Sequence, residues 1–132
     1  MSSRTVKQII LIIDDTPLEV KTLHESLRLK YEVRLVTKHV EALEAARTQR
    51  PDLILLDTEL GEVDGYEVCE ALKAQSDTRK IPIIFIAAAI ETTDEARGLS
   101  MGAVDYLYKP FRMPIVAARI RNHLERRHGQ HH

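Results

Sequence analysis

Short apolar runs alternate with amphipathic stretches five times along this chain. Ile9–Ile13 is unbroken and rich in β-branched residues, as a strand covered on both faces should be. Asp52–Leu56, introduced by Pro51, is a further expected strand, and its Leu53–Leu56 stretch and Ile83–Ile86 are likewise continuously apolar. Tyr31–Val36 alternates polar and apolar positions, the pattern of a half-buried strand. Val104–Tyr108 completes the strand set and also contains polar positions.

Helix signals fill the intervals. In Thr16-Pro17-Leu18-Glu19, Thr16 can cap, Pro17 suits the first turn and Glu19 completes a capping box. This helix is predicted to run to about Leu29. Thr37 is the expected cap of a second helix, ending near Thr48. Asp64-Gly65-Tyr66-Glu67 repeats the capping pattern and opens a third, to about Ala74. Thr92-Thr93-Asp94-Glu95 should start a short fourth helix, ended by Gly98 or Gly102. Pro114 marks the first turn of a final helix reaching about Arg126.

Such alternation predicts an α/β fold: a (βα)5 doubly wound, five-stranded parallel sheet. The continuously apolar runs belong inside the sheet, and Tyr31–Val36 and Val104–Tyr108 at its edges. With right-handed crossovers, the strand order becomes 2-1-3-4-5.

Composition narrows the partners. The 132 residues are 44% hydrophobic and 30% charged, with a formal net charge of −1. That size suits one domain, and that charge offers no general attraction to nucleic acid or an anionic membrane. The apolar runs are too short to span a bilayer. Met1–Gln8 lacks the apolar core of a signal peptide. The single cysteine, Cys69, cannot form an internal disulfide. A cytoplasmic location is the expectation. Residues 1–127 read as one domain, and 128–132 as a disordered, histidine-rich tail or a remnant of expression engineering.

In a sheet of this order, ligands bind beyond the carboxyl ends of the strands. The first strand ends in Asp14-Asp15, the third in Asp57 and the fifth in Lys109-Pro110. Converging carboxylates repel one another, and a hard divalent cation relieves that repulsion. Mg2+ would leave Asp57 ionised as a nucleophile toward phosphorus, with Lys109 a second positive charge for the transferring oxygens.

These residues, with Ile12-Ile13-Asp14-Asp15, Pro51–Asp57, Asp64-Gly65-Tyr66-Glu67, Ile81–Ile86, Gly102–Tyr106 and Lys109-Pro110-Phe111, carry a family likeness. Over about residues 7–125, the chain resembles the receiver domain of bacterial two-component response regulators, with its flavodoxin-like receiver fold. The resemblance implies a phosphorelay signalling domain rather than an enzyme with turnover. Asp57 would be the phospho-acceptor, forming an aspartyl phosphate. Asp14, Asp15, Asp57 and the backbone carbonyl of Glu59 would hold Mg2+. Lys109 would pair with the phosphoryl group, its bond to Pro110 would be cis, and Tyr106 would be the aromatic switch. The implied donor is a sensor histidine kinase or a histidine phosphotransfer protein. A homodimer through the fourth helix, fifth strand and fifth helix, and an output domain outside this chain, are further expectations. No nucleic-acid or membrane partner is implied.

The sequence departs from the family pattern after the fourth strand. There the family places Ser or Thr, then Ala; this chain has Ala87-Ala88. Ala87 cannot hydrogen-bond a phosphoryl oxygen, although the Ala88 N–H still can. One such bond is worth about 1 kcal/mol, small beside the charges of Mg2+ and Lys109. Phosphorylation is therefore expected to survive, with altered coupling to Tyr106. Gly61 also stands where proline is usual. The alternative reading is a pseudo-receiver, a binding module that works without phosphate. A haloacid-dehalogenase-type phosphatase is disfavoured, because Thr16 and Pro17 occupy the places where its second aspartate is needed.

Overall fold

Fully buried Ile, Leu and Phe side chains build the centre of the sheet from Ile9–Ile13 (β1), Leu53–Asp57 (β3) and Ile83–Ala87 (β6). A computed structural model describes residues 6–90 and 93–129. The remaining elements are α1 (Pro17–Leu27), β2 (Glu32–Val36), α2 (Ala42–Gln49), β4 (Glu59–Leu60) and β5 (Val63–Asp64). They continue with α3 (Gly65–Ala74), α4 (Glu95–Ser100), β7 (Asp105–Tyr108) and α5 (Met113–Gly129).

Five strands form a parallel sheet in the order β2-β1-β3-β6-β7, while β4 and β5 make a separate two-stranded hairpin. Setting the hairpin aside, this is the expected 2-1-3-4-5 order, with the two polar-containing strands at the edges. Alternate residues of each strand face opposite layers. Leu11, Ile13, Ile54, Leu56 and Phe85 pack toward α2 and α3, meeting Ala42, Ala46, Cys69 and Leu72. Ile10, Ile12, Leu53, Leu55 and Ile84 pack toward α1 and α5, meeting Val20, Leu23, Val116, Ile120 and Leu124. Each large aliphatic side chain buried this way contributes roughly 1.5–3 kcal/mol.

Strand register then sets the functional edge. Ile13 lies level with Leu56, Asp57 with Ile86, and Ala87 with Tyr108. Asp14 and Asp57 therefore stand side by side at the carboxyl edge, and Ala88 and Lys109 follow two positions beyond that level.

Several local expectations change. Thr37 does not cap α2; a single 3-10 turn, His39–Glu41, intervenes after Lys38. Thr16 occupies the cap position of α1 without a side-chain cap bond, so no capping box forms there. At α3 the box does form: Asp64 accepts from the Tyr66 N–H at 2.6 Å, and Glu67 from the Asp64 N–H at 3.3 Å. Asp94 caps α4, accepting from the Arg97 N–H at 3.1 Å, and Thr92 lies outside the described residues. Of the two glycines expected to end α4, Gly98 falls inside the helix, and Gly102, at φ 110° just past the Met101 cap, ends it. The hairpin was not predicted, because two-residue strands carry no periodic signal. Its turn is Gly61-Glu62. The last helix continues to Gly129, whereas residues 130–132 and the first five lie outside the described residues.

Candidate functional site

The loop after β1 turns sharply: the Thr16 N–H donates to Asp14 Oδ1 at 2.8 Å. Asp14 is thereby held at the strand end, fully buried. A similar turn follows β3, where the Glu59 N–H donates to Asp57 Oδ1 at 2.8 Å. Asp57 is 3% exposed, and its Oδ2 lies 3.1 Å from Lys109 Nζ. Lys109 enters from the end of β7, and its peptide bond to Pro110 is cis.

A third carboxylate joins them. Glu19, in the first turn of α1, places Oε1 2.6 Å from Lys109 Nζ. Among the described residues, Asp14, Glu19 and Asp57 form a metal-capable group with ligand atoms within 4.8 Å of one another. Burial pushes the Asp14 carboxyl up to about 7, and the Asp57 charge adds to that; the Thr16 N–H and Lys109 oppose it. Burial alone would lower the Lys109 pKa, yet the Glu19 and Asp57 carboxylates raise it on balance.

Asp14 Oδ2 is buried without a hydrogen-bond partner. A buried carboxylate oxygen that has no donor and lies beside other carboxylates is costly to desolvate unless a cation sits against it. The donor set is all oxygen, which suits a hard cation such as Mg2+. On this observation the residues fit the metal.

Of the sequence-predicted residues, Asp14, Asp57 and Lys109 come together. Asp15 is exposed and outside the tight group, but lines the same cavity of about 940 Å3, as do Glu59 and Ala88. Ala87 does not line it; its side chain is fully buried in the core beside Phe85 and Tyr106. Tyr106 is 4% exposed, and its hydroxyl lies 2.9 Å from that of Tyr66 and 3.2 Å from the Asp94 carbonyl oxygen. The Arg97 guanidinium stacks 4.4 Å from the Tyr66 ring centre and pairs with Asp64 at 3.1 Å. Sequence reasoning assigned Glu19 a helix-start role and gave Tyr66 none beyond its capping motif. No local signal marks either one, since both gain partners far along the chain.

Comparison with known proteins agrees with this geometry. Residues 10–121 match the family described as the response regulator receiver domain. The chain belongs to that family, a signalling module of two-component systems. The DNA-binding response regulator MtrA of Mycolicibacterium smegmatis is 38% identical over 92% of this chain and 53% of its own length. The alkaline phosphatase synthesis transcriptional regulatory protein PhoP of Bacillus subtilis is 41% identical, over 89% of this chain and 48% of its own length. The chain thus spans about half the length, or less, of the curated relatives it matches. Among solved structures, the receiver domain of the sensor histidine kinase PA1611 from Pseudomonas aeruginosa has a magnesium ion coordinated in its active-site cleft. It is 35% identical with a TM-score of 0.78, covering 94% of this chain and 99% of that one. No helix among the described residues is long and apolar enough to cross a membrane.

Proposed function

We propose that Asp57 accepts a phosphoryl group from a phosphohistidine on a sensor histidine kinase or histidine phosphotransfer protein. The observation that carries this reading is the buried Asp57 carboxylate, 3.1 Å from Lys109 Nζ and grouped with Asp14. A carboxylate oxygen of Asp57 attacks phosphorus, the P–N bond breaks, and its electron pair leaves with the imidazole. The Glu59 N–H, bonded to Asp57 Oδ1, fixes the carboxylate for attack. Lys109 already touches the nucleophile, so its ammonium meets the charge of the incoming oxygens without a long excursion. Asp14, Asp15, Asp57 and the Glu59 backbone carbonyl are the proposed Mg2+ ligands. The ion, when bound, neutralises part of the carboxylate charge and of the charge on the phosphoryl oxygens.

The proposed receiver unit is residues 1–127, with its last helix running on to Gly129, working in the cytoplasm. The relatives' greater length supports an output domain outside this chain. The face made by α4, β7 and α5 is the proposed dimer surface. Ala87 lies in the core away from the cavity, so any phosphate-linked movement of Tyr106 has to proceed without a hydroxyl at 87.

Incubation with acetyl phosphate and Mg2+, followed by intact mass measurement, tests the reading. One added phosphoryl group is expected on the parent and none on Asp57→Ala. An unmodified parent would overturn it in favour of a phosphate-independent binding module.

A further inference from the structure

Glu19 stands at a helix start but does no capping, because the Thr16 N–H it would accept from donates instead to Asp14 Oδ1. Its carboxylate reaches instead to the end of β7, lying 2.6 Å from Lys109 Nζ, whereas Asp57 Oδ2 lies at 3.1 Å. The Lys109 side chain is only 19% exposed, so this contact is less screened than an ordinary surface pair. Asp57 Oδ2 accepts a hydrogen bond from this ammonium, while Glu19 Oε1 forms a close ion pair with it and has no aligned hydrogen-bond donor. A phosphoryl group on Asp57 would bring more anionic oxygens to the same ammonium.

We propose that Glu19 is a positioning residue that holds Lys109 in the resting protein and competes with the phosphoryl group for it. The inference rests on the phospho-accepting reading of Asp57. Pairing with Glu19 keeps the Lys109 ammonium beside the site before phosphorylation. That same pairing weakens the grip of Lys109 on phosphoryl oxygens afterwards. Glutamine at 19 keeps the shape and removes the charge, so the ammonium turns fully toward Asp57.

The test is titration with beryllofluoride in saturating Mg2+, followed by NMR, on parent, Glu19→Gln, Lys109→Met and the double variant. Circular dichroism confirms that each is folded. Glu19→Gln is expected to bind beryllofluoride about tenfold more tightly than the parent, the scale of one hydrogen bond to a charged group. In the Lys109→Met background the same change should have no effect, because the residue it acts through is gone. Equal or weaker binding by Glu19→Gln would overturn the proposal. So would an undiminished gain in the absence of Lys109, since Glu19 would then act by direct repulsion. A parent protein that fails to bind beryllofluoride would instead overturn the phospho-accepting reading itself.

Discussion

Replacing Gly98 by alanine sets helix propensity against packing, and the structure decides which wins. Inside a helix this change ordinarily stabilises by about 1 kcal/mol. At 98, however, a Cβ would sit 2.1 Å from Tyr106 Oη, 2.9 Å from its Cζ and 3.0 Å from Phe85 Cε2. The Tyr106 ring cannot yield cheaply. It is nearly fully buried, its centre is 5.3 Å from that of Phe85, and its hydroxyl is bonded to Tyr66 and to the Asp94 carbonyl. Displacing the ring forfeits about 2 kcal/mol of burial, and each broken hydroxyl bond about 1 kcal/mol more. After the helix gain is set against these losses, Gly98→Ala should destabilise by about 3 kcal/mol. For a chain of 132 residues that lowers the melting temperature by about 10 °C. Urea denaturation followed by far-ultraviolet circular dichroism measures the loss. The near-ultraviolet signal, free of tryptophan, reports the displaced tyrosine. Once Tyr106→Ala has removed the obstacle, adding Gly98→Ala should stabilise by about 1 kcal/mol. A Gly98→Ala protein at least as stable as its parent, with an unchanged tyrosine signal, would refute the reasoning.

Two further outcomes follow from the site. A Cβ at Gly65 would lie 2.0 Å from the Asp57 carbonyl oxygen and 2.9 Å from Thr58 Cα, backbone atoms that no rotamer change can clear. Gly65→Ala should therefore destabilise by about 3 kcal/mol and slow phosphorylation by acetyl phosphate, read by denaturation and by mass. With EDTA present, Asp14 makes stability depend on pH. Its folded pKa, about 7, lies above the ordinary 3.8, so between these values the native state retains a proton that the unfolded chain has lost. Stability then falls as pH rises through that window, and the loss is complete above it. Asp14→Asn should flatten this slope and exceed the parent in stability at pH 8 in EDTA. A parent slope identical to that of Asp14→Asn in thermal melts would contradict the assignment.

The arrangement of the sheet was legible in the sequence. Unbroken apolar runs at Ile9–Ile13, Leu53–Leu56 and Ile83–Ile86 demand cover on both faces, which places them inside a parallel sheet. The acids and the lysine that follow such strands must then share one edge. Asp14 and Asp57 meet there because parallel register sets them side by side, and the long side chain of Lys109, two positions further on, reaches Asp57. Tertiary structure alone decided the partner of Glu19. Its spacing from Thr16 satisfies a local capping rule, yet the carboxylate lies against Lys109, ninety residues on. Only the fold could show that Asp14 is buried while Asp15, the next residue, is exposed on the cavity lining, since neighbours in sequence leave a strand on different sides. The same holds for Tyr106, whose hydroxyl finds Tyr66, forty residues away, across a space that Gly98 leaves open. Periodicity encodes which face of an element is buried. A single polar atom's partner depends on which elements the folded chain brings within about 3 Å, and no local pattern contains that.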